Sequence, residues 1–470
     1  MVKRLVKKMQ RTCLVLFKAL MVAALFAIYF GLFGLTQREL LRASRTAAIS
    51  MSTFVVVGIC FLKIYGGFPI GMKKTKDIVP SAFIAIAITD VITYFQFAIM
   101  MFNYDQRASY VQDFFTLVGV LLLQLIVINI FGYLGNYLFF EVNPPDRVAI
   151  IYGDSDGLVS FASKINKYKK QYTIQHIVHV DDPNLKQTIR DSDRVFLYSL
   201  PDEAKNHWME YCYKHDKITC ITPDLPDIIT KHSRHVILDD VTVLESRVSG
   251  LTFEQELIKR CCDIVVSGIG LLIASPIMLL EALAIKLEDG GPVFFRQPRV
   301  TKDGKVFYVL KFRTMIVDAD KKSKRLASKN DDRITRVGNI LRKTRLDELP
   351  QFINILKGDM SIVGPRPEQE EITEKYVEVL PEFKYRLKVK AGLTGLAQIQ
   401  GKYNTTPKDK LILDLMYIEQ YSFWIDLKLM LQTVKVLFKS DSTEGVQGEL
   451  PIDLPGSASE EKADQEADQK

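Results

Sequence analysis

Asp347 and Glu348 are adjacent acids in a strongly basic stretch that also holds Arg342, Lys343 and Arg345. Paired carboxylates among cations suit Mg²⁺ and phosphate together, because magnesium takes one or two carboxylates and completes its shell with phosphate oxygens and water. Transfer of a phosphoryl group then depends mainly on positioning and on neutralising charge at the oxygens. Phe352, Ile353 and Leu356, preceded by Pro350 and followed by Gly358, predict a short helix beginning near Asp347. A helix N-terminus would keep a carboxylate ionised, ready to act as nucleophile or metal ligand. In the plainer alternative the pair only caps the helix.

Two further segments offer cations. FYVLKFRTM, residues 307–315, has strand composition, and its alternation puts Lys311 and Arg313 on one face with Phe312 on the other, so both cations could meet one anion. Gly364-Pro365-Arg366-Pro367 reads as a rigid turn holding one guanidinium, the group that binds phosphate bidentately. A solvated strand face and a structural turn with an exposed arginine are the competing readings.

Composition narrows the chemistry. All six histidines lie between His176 and His235, so from residue 251 onward histidine nucleophiles, Ser/His/Asp triads and histidine-ligated zinc are excluded. The six cysteines show neither CxxC pairs nor disulfide-framework spacing, which fits a reducing compartment. The net charge of +7 conceals a basic crowd from Arg296 to Arg366 and an acidic stretch after Lys439. Basic residues beside apolar segments point to anionic lipid or phosphorylated substrates. Nucleic acid is disfavoured, since no aromatic-interleaved basic motif or zinc-finger spacing occurs.

Several elements must hold these residues in place. Apolar stretches at about 13–35, 50–66, 81–102 and 113–140 have bilayer-crossing length and define a four-helix transmembrane region over 1–141. The first lacks a small-residue cleavage site, which argues against a signal peptide. Lys3, Arg4, Lys7, Lys8 and Arg11 before it, and Lys73, Lys74 and Lys76 after the second, outweigh Arg38, Arg42, Arg45 and Arg107 and place the N-terminus in the cytoplasm. Residues 147–248 alternate strand-like runs (VAIIYG, YTIQHIVHV, RVFLYSL, KITCIT) with helical or polar stretches, a small parallel α/β unit of Rossmann-like type. Gly153-Asp-Ser-Asp-Gly157 could offer backbone amides to a phosphate or simply make a tight turn, and its spacing is not GxGxxG.

A second apolar region, Ile264–Leu280, contains Ser275-Pro276, where proline should kink or break a helix. A helix bending there and returning to the same face keeps all later residues in the cytoplasm. A full crossing would export them. The last stretch, 441–470, is polar and acidic and is expected to be disordered.

Taken in order, KR..D with its Ser-Pro apolar segment, GPVFFRQPRV, KFRTM, LDELPQ, N.LKGDMS.VGPRP and AGLTGLAQIQGKY resemble the bacterial sugar transferase family, the monotopic polyprenyl-phosphate phosphoglycosyl transferases. The resemblance runs from about Phe253 to Phe438. It implies a catalytic domain over 251–440, with a re-entrant helix near 264–287, at the cytoplasmic face of the bacterial inner membrane. It also implies a ping-pong reaction in which Asp347 attacks the β-phosphate of a UDP-sugar, Glu348 binds Mg²⁺ alongside Asp347, and Arg366 holds phosphate. Undecaprenyl phosphate would then accept the hexose 1-phosphate. Lys311, Arg313, Arg299 and Asp426 fall in family-like motifs and are expected in supporting, substrate-binding roles. Long-form relatives of this kind mostly use UDP-glucose or UDP-galactose and begin capsule, exopolysaccharide or O-antigen repeat units. A homodimer is left open.

The expected architecture is an α-helical membrane region, a Rossmann-like middle domain and a mixed α/β catalytic domain. Two rivals differ in class. A membrane-bound nucleotide-sugar dehydratase or epimerase would need a glycine-rich dinucleotide site and a Tyr/Lys pair, for which only Tyr213 and Lys217 have the spacing. A non-catalytic scaffold for polysaccharide assembly would not need intact Asp347, Glu348 and Arg366.

Overall fold

The computed structural model describes residues 10–101, 110–231, 233–246, 250–317, 331, 333–401 and 405–437. The acidic segment 441–470 lies outside them, as do Lys3, Arg4, Lys7, Lys8 and Arg107 of the charge count. The chain forms two compact units, Met1–Thr222 and Pro223–Lys470.

In the first unit, α1 (Gln10–Thr36), α2 (Arg45–Tyr65), α3 (Thr75–Met101) and α4 (Tyr110–Val142) are each long and apolar enough to cross a bilayer and coincide with the four stretches read from sequence. Leu25, Phe33, Phe54 and Ile128 are buried between them, whereas Leu16, Val56, Ile99 and Leu122 face outward. Polar side chains turn inward, and some of them pair across the bundle. Asn136 accepts from the Gly71 amide and donates to the Thr75 hydroxyl, both at 2.8 Å.

The same unit carries a parallel sheet. Its strands β1 (Asp146–Tyr152), β2 (Tyr172–His179), β3 (Arg194–Tyr198) and β4 (Ile218–Ile221) lie in the order β2-β1-β3-β4. Helices α5 (Leu158–Asn166), α6 (Leu185–Asp191) and α7 (Asp202–Lys214) connect them. Val148, Ala149, Ile150 and Ile151 are wholly buried, as expected of a central parallel strand covered on both faces. The glycines after β1 answer to packing. A Cβ on Gly153 would lie 2.8 Å from the Ser199 carbonyl, and Gly157, at φ +71°, sits under the Tyr198 hydroxyl. Tyr213 is exposed and Lys217 is spent on the Arg190 and Ser192 carbonyls, so no catalytic Tyr/Lys pair forms.

The second unit begins with α8 (Leu225–Lys231) and an antiparallel hairpin of β5 (Arg234–Leu238) and β6 (Val241–Glu245). After α9 (Phe253–Asp289) come the antiparallel pair β7 (Phe294–Val300) and β8 (Val306–Phe312), then α10 (Arg336–Thr344) and α11 (Gln351–Lys357). β9 (Ser361–Val363) pairs in parallel with β10 (Gly392–Thr394), with α12 (Glu370–Val379) between them. Three helices follow: α13 (Leu396–Gln400), α14 (Pro407–Glu419) and α15 (Phe423–Leu437). Ile355, Met360, Val363, Phe383, Leu411 and Leu415 form the core.

Helix α9 is continuous for 37 residues, with Ser275 and Pro276 in its interior. Proline cannot donate to the Leu272 carbonyl one turn back. The Ser275 hydroxyl does so instead at 2.8 Å, which lets the helix continue. Three side chains near its start dock it on the domain. Lys259 pairs with Asp426 (2.6 Å), Arg260 donates to the Ile355 and Leu356 carbonyls that end α11, and Asp263 accepts from the Ser361 hydroxyl and the Ile362 amide.

Candidate active site

Asp347 and Glu348 lie in a 3₁₀ turn, Leu346–Glu348, and not in the following helix. This corrects the reading that a helix begins near Asp347. The N-cap of α11 is Pro350, with no side-chain cap, so neither acid is a capping residue. Arg345, at φ 56°, ends α10 and turns the chain into the acidic pair. A non-glycine residue in that region costs on the order of 1–3 kcal/mol, a strain held by its surroundings.

Cations supply what the helix terminus was expected to give. Glu348 Oε1 accepts from Lys311 Nζ and from an Arg366 guanidinium nitrogen, each at 2.9 Å. Burial alone would push this carboxyl up, but Lys311 and Arg366 outweigh it and hold it well below the usual carboxylate range. Asp347 moves the other way. Burial, then the charge of Glu348, raise it against Lys311, Arg342 and Arg366.

The alignment of these groups has a visible cause. The Asn354 side chain accepts from the Leu310 amide and donates to the Tyr308 carbonyl, both at 2.9 Å, locking α11 along β8 beside Lys311. Arg366 is fixed by glycine against glycine. Gly364 donates to the Thr394 carbonyl and Gly392 to the Pro365 carbonyl, and a Cβ on Gly392 would fall 2.1 Å from the Gly364 nitrogen. The GPRP and AGLTG motifs are therefore two halves of one backbone clasp. Below it, Arg386 donates to the Arg366 carbonyl and pairs with buried Asp414.

The remaining sequence candidates divide. Arg299 donates to the Pro367 carbonyl and lies near Arg366, Glu368 and Glu348; burial, then Arg366, lower it to about 10, so it stays cationic at neutral pH. Arg313 does not share an anion with Lys311, as the alternation suggested. It follows the end of β8, and its guanidinium is engaged by Asp289 and the Pro292 carbonyl. Asp426 is held in a closed set with Lys259 and Tyr417, whose hydroxyl donates to it at 2.8 Å. Ser275 and Pro276 lie inside α9. Glu281, which the sequence reading passed over, lies on that helix within electrostatic reach of Asp347. Its signal was a lone acid in an apolar run.

The group is a half-buried carboxylate beside a second carboxylate and a fan of cations, suited to grip an anionic phosphate and present Asp347 to it. Among the described residues no three His, Cys, Asp or Glu side chains cluster as metal ligands. The pair Asp347 and Glu348 still fits Mg²⁺, which draws most of its shell from phosphate and water. It does not fit zinc.

An acidic pair facing a clasped arginine on a mixed α/β domain makes a site suited to anions, and the chain belongs to the bacterial sugar transferase family, whose pattern matches residues 254–440. It is 43% identical over 224 residues to the UDP-glucose:undecaprenyl-phosphate glucose-1-phosphate transferase of Escherichia coli (strain K12), covering 46% of this chain and 48% of that protein. Against the protein of the same name from Caulobacter vibrioides it is 43% identical over 192 residues, 40% of this chain and 72% of the relative. It is also 33% identical over 271 residues to the undecaprenyl-phosphate galactose phosphotransferase of Salmonella typhimurium, 53% of this chain and 56% of that protein. The chain thus matches about half the length of the E. coli relative.

Proposed function

We propose that this protein transfers a hexose 1-phosphate from a UDP-sugar, UDP-glucose or UDP-galactose, to undecaprenyl phosphate, releasing UMP. This would be the first step of a capsule, exopolysaccharide or O-antigen repeat unit. The observation that carries the reading is the Glu348 carboxylate joined to both Lys311 and Arg366 directly beside half-buried Asp347. In the first half-reaction an Asp347 oxygen attacks the β-phosphorus, the bond from that phosphorus to the bridging oxygen breaks, and UMP leaves with the electron pair. In the second, an oxygen of the lipid phosphate attacks the same phosphorus and Asp347 is regenerated as a carboxylate. Arg366, Lys311 and Arg299 neutralise the phosphate oxygens throughout. Glu348, with Asp347, would hold Mg²⁺, which when bound supplies further charge neutralisation. Arg313 and Asp426 act at a remove, by tying Asp289 and Lys259 at the two ends of α9 to the domain.

In this reading α9 is re-entrant, bending at Ser275-Pro276 within its continuous helical span. Its length, about 55 Å if straight, exceeds a hydrocarbon core of roughly 30 Å. Lys259 near one end and Asp289 at the other both bond to the same domain, which favours a helix with both ends on one face over a crossing. The outward residues Ile269, Leu272, Ile273, Leu279 and Leu283 then meet lipid. The domain would face the cytoplasm from the inner membrane, where nucleotide sugars are found, with 1–141 as the transmembrane region, 147–248 as a Rossmann-like domain and 251–440 as the catalytic domain. The purified full chain should release UMP from a UDP-hexose, and Asp347→Asn should abolish it. Release from no donor, or normal turnover by Asp347→Asn, would sink the proposal.

A further inference from the structure

Within the first unit, the loop 66–74 between α2 and α3 and the last turns of α4 lie at one end of the four helices, where Asn136 accepts from the Gly71 amide. The turn that joins α5 to β2 is docked on this end. The Gln171 side chain donates to the Gly71 carbonyl at 3.0 Å, the Lys74 ammonium sits 5.2 Å from the centre of the Tyr168 ring, and that of Lys170 sits 6.0 Å from the centre of the Phe140 ring. Two basic segments far apart in the chain are thereby brought together. Lys73, Lys74 and Lys76 come from the helical region, and Lys164, Lys167, Lys169 and Lys170 from the middle domain.

All of these lysines except Lys74 are exposed, and among the described residues none of them is in an ion pair. The ring contacts hold Lys74 and Lys170 in place without cancelling their charge. The acids in the same stretches are Asp77 and Glu141, while Asp146 is taken by Arg194. So many like charges repel one another unless a counter-charge lies close by. Position identifies that counter-charge. Helix α2 ends at Tyr65, α3 begins at Thr75 and α4 ends at Val142, each long and apolar enough to cross a bilayer, so the lysines stand where the helices leave the hydrocarbon, at the depth of lipid phosphates. Exposed Met72 and Tyr168 among them suit the mixed character of that layer. A soluble acidic partner would have to displace a bilayer already in place.

We propose that this lysine face of the middle domain binds the headgroups of anionic phospholipids in the same bilayer, fixing the domain against the membrane surface. The inference concerns the first unit alone and stands apart from the reaction proposed above. It gives the middle domain a ligand that its glycine-containing loop after β1 does not supply.

The test places the full-length protein in nanodiscs of phosphatidylcholine, alone or with about one third phosphatidylglycerol, and follows amide hydrogen exchange over residues 164–171. Exchange there should slow about fivefold or more with phosphatidylglycerol. The difference should vanish in roughly 1 M salt, where the screening length falls to about 3 Å. The side chains of Lys164, Lys167 and Lys169 make no hydrogen bond, ion pair or ring contact among the described residues, so their loss does not undock the turn. The triple variant Lys164→Gln, Lys167→Gln, Lys169→Gln should therefore melt like wild type in phosphatidylcholine and lose the slowing. Lys186→Gln, at the start of α6 beyond the far end of β2, should keep it. Equal exchange in the two kinds of disc would overturn the inference, as would slowing that survives in the triple variant. Loss of the slowing in Lys186→Gln would reduce the effect to net charge and defeat it too. So would the same slowing produced in phosphatidylcholine discs by inorganic phosphate, which would mark a site for the free anion.

Discussion

Arg366 donates to Glu348 Oε1 at 2.9 Å across 18 residues of chain, and the bond exists because Gly364 and Gly392 let two backbones touch. The arginine and the acid therefore act as one unit. Arg366→Ala and Glu348→Gln should each reduce UMP release by two orders of magnitude or more, and the double variant should be little worse than either. The expected coupling is about 3 kcal/mol, the upper end for residues in one network. Additive losses in a double-mutant cycle would show that the two residues work separately.

Lowering the pH should silence the enzyme earlier than an ordinary aspartate would. In the proposed reaction Asp347 must be ionised to attack, and burial with the charge of Glu348 raises its pKa, so the acid limb of the pH-rate profile should lie above the usual aspartate value. Glu348 is held low and stays ionised over that range. In Glu348→Gln the repelling charge is gone, and the limb of the residual activity should move to lower pH. A shift upward would contradict this electrostatic account.

Acid stability should depend on Glu368. Burial pushes this carboxyl up, but Lys410, Arg386 and Arg299 outweigh it and hold it at about 2, below the ordinary value of 4.5. A depressed folded pKa stabilises fully above the unfolded value and is lost as pH falls toward the folded one, so the contribution should fade between pH 4.5 and about 2. It amounts to on the order of 3 kcal/mol. Glu368→Gln should melt lower than wild type at pH 6, and the gap should narrow as the pH drops through that window.

Ser275 and Pro276 should be coupled through a single carbonyl. Ser275→Ala leaves the Leu272 oxygen without a donor and should cost about 1 kcal/mol, measured by melting in detergent. Pro276→Ala restores a backbone donor to that oxygen, so adding Ser275→Ala should then cost little. The same penalty in both backgrounds would mean that the hydroxyl has another role.

Much of the molecule was legible before any fold was known, because the signals were local. Long apolar runs marked α1 to α4 and the greater part of α9, and alternating strand-like runs marked β1 to β4, since bilayer thickness and strand periodicity act over a few turns of chain. The acidic pair and Arg366 were visible for the same reason. Pairing across the chain was not. The tertiary structure moved Asp347 and Glu348 off the helix end and gave Glu348 to Lys311 and Arg366. It sent Arg313 to Asp289 and Asp426 to Lys259, and it put the Ser275 hydroxyl on the Leu272 carbonyl that Pro276 cannot serve. Residue types and their order determined which chemistry was available. Which charge meets which was decided by close backbone contacts such as that of Gly364 with Gly392, whose partners lie far apart along the chain.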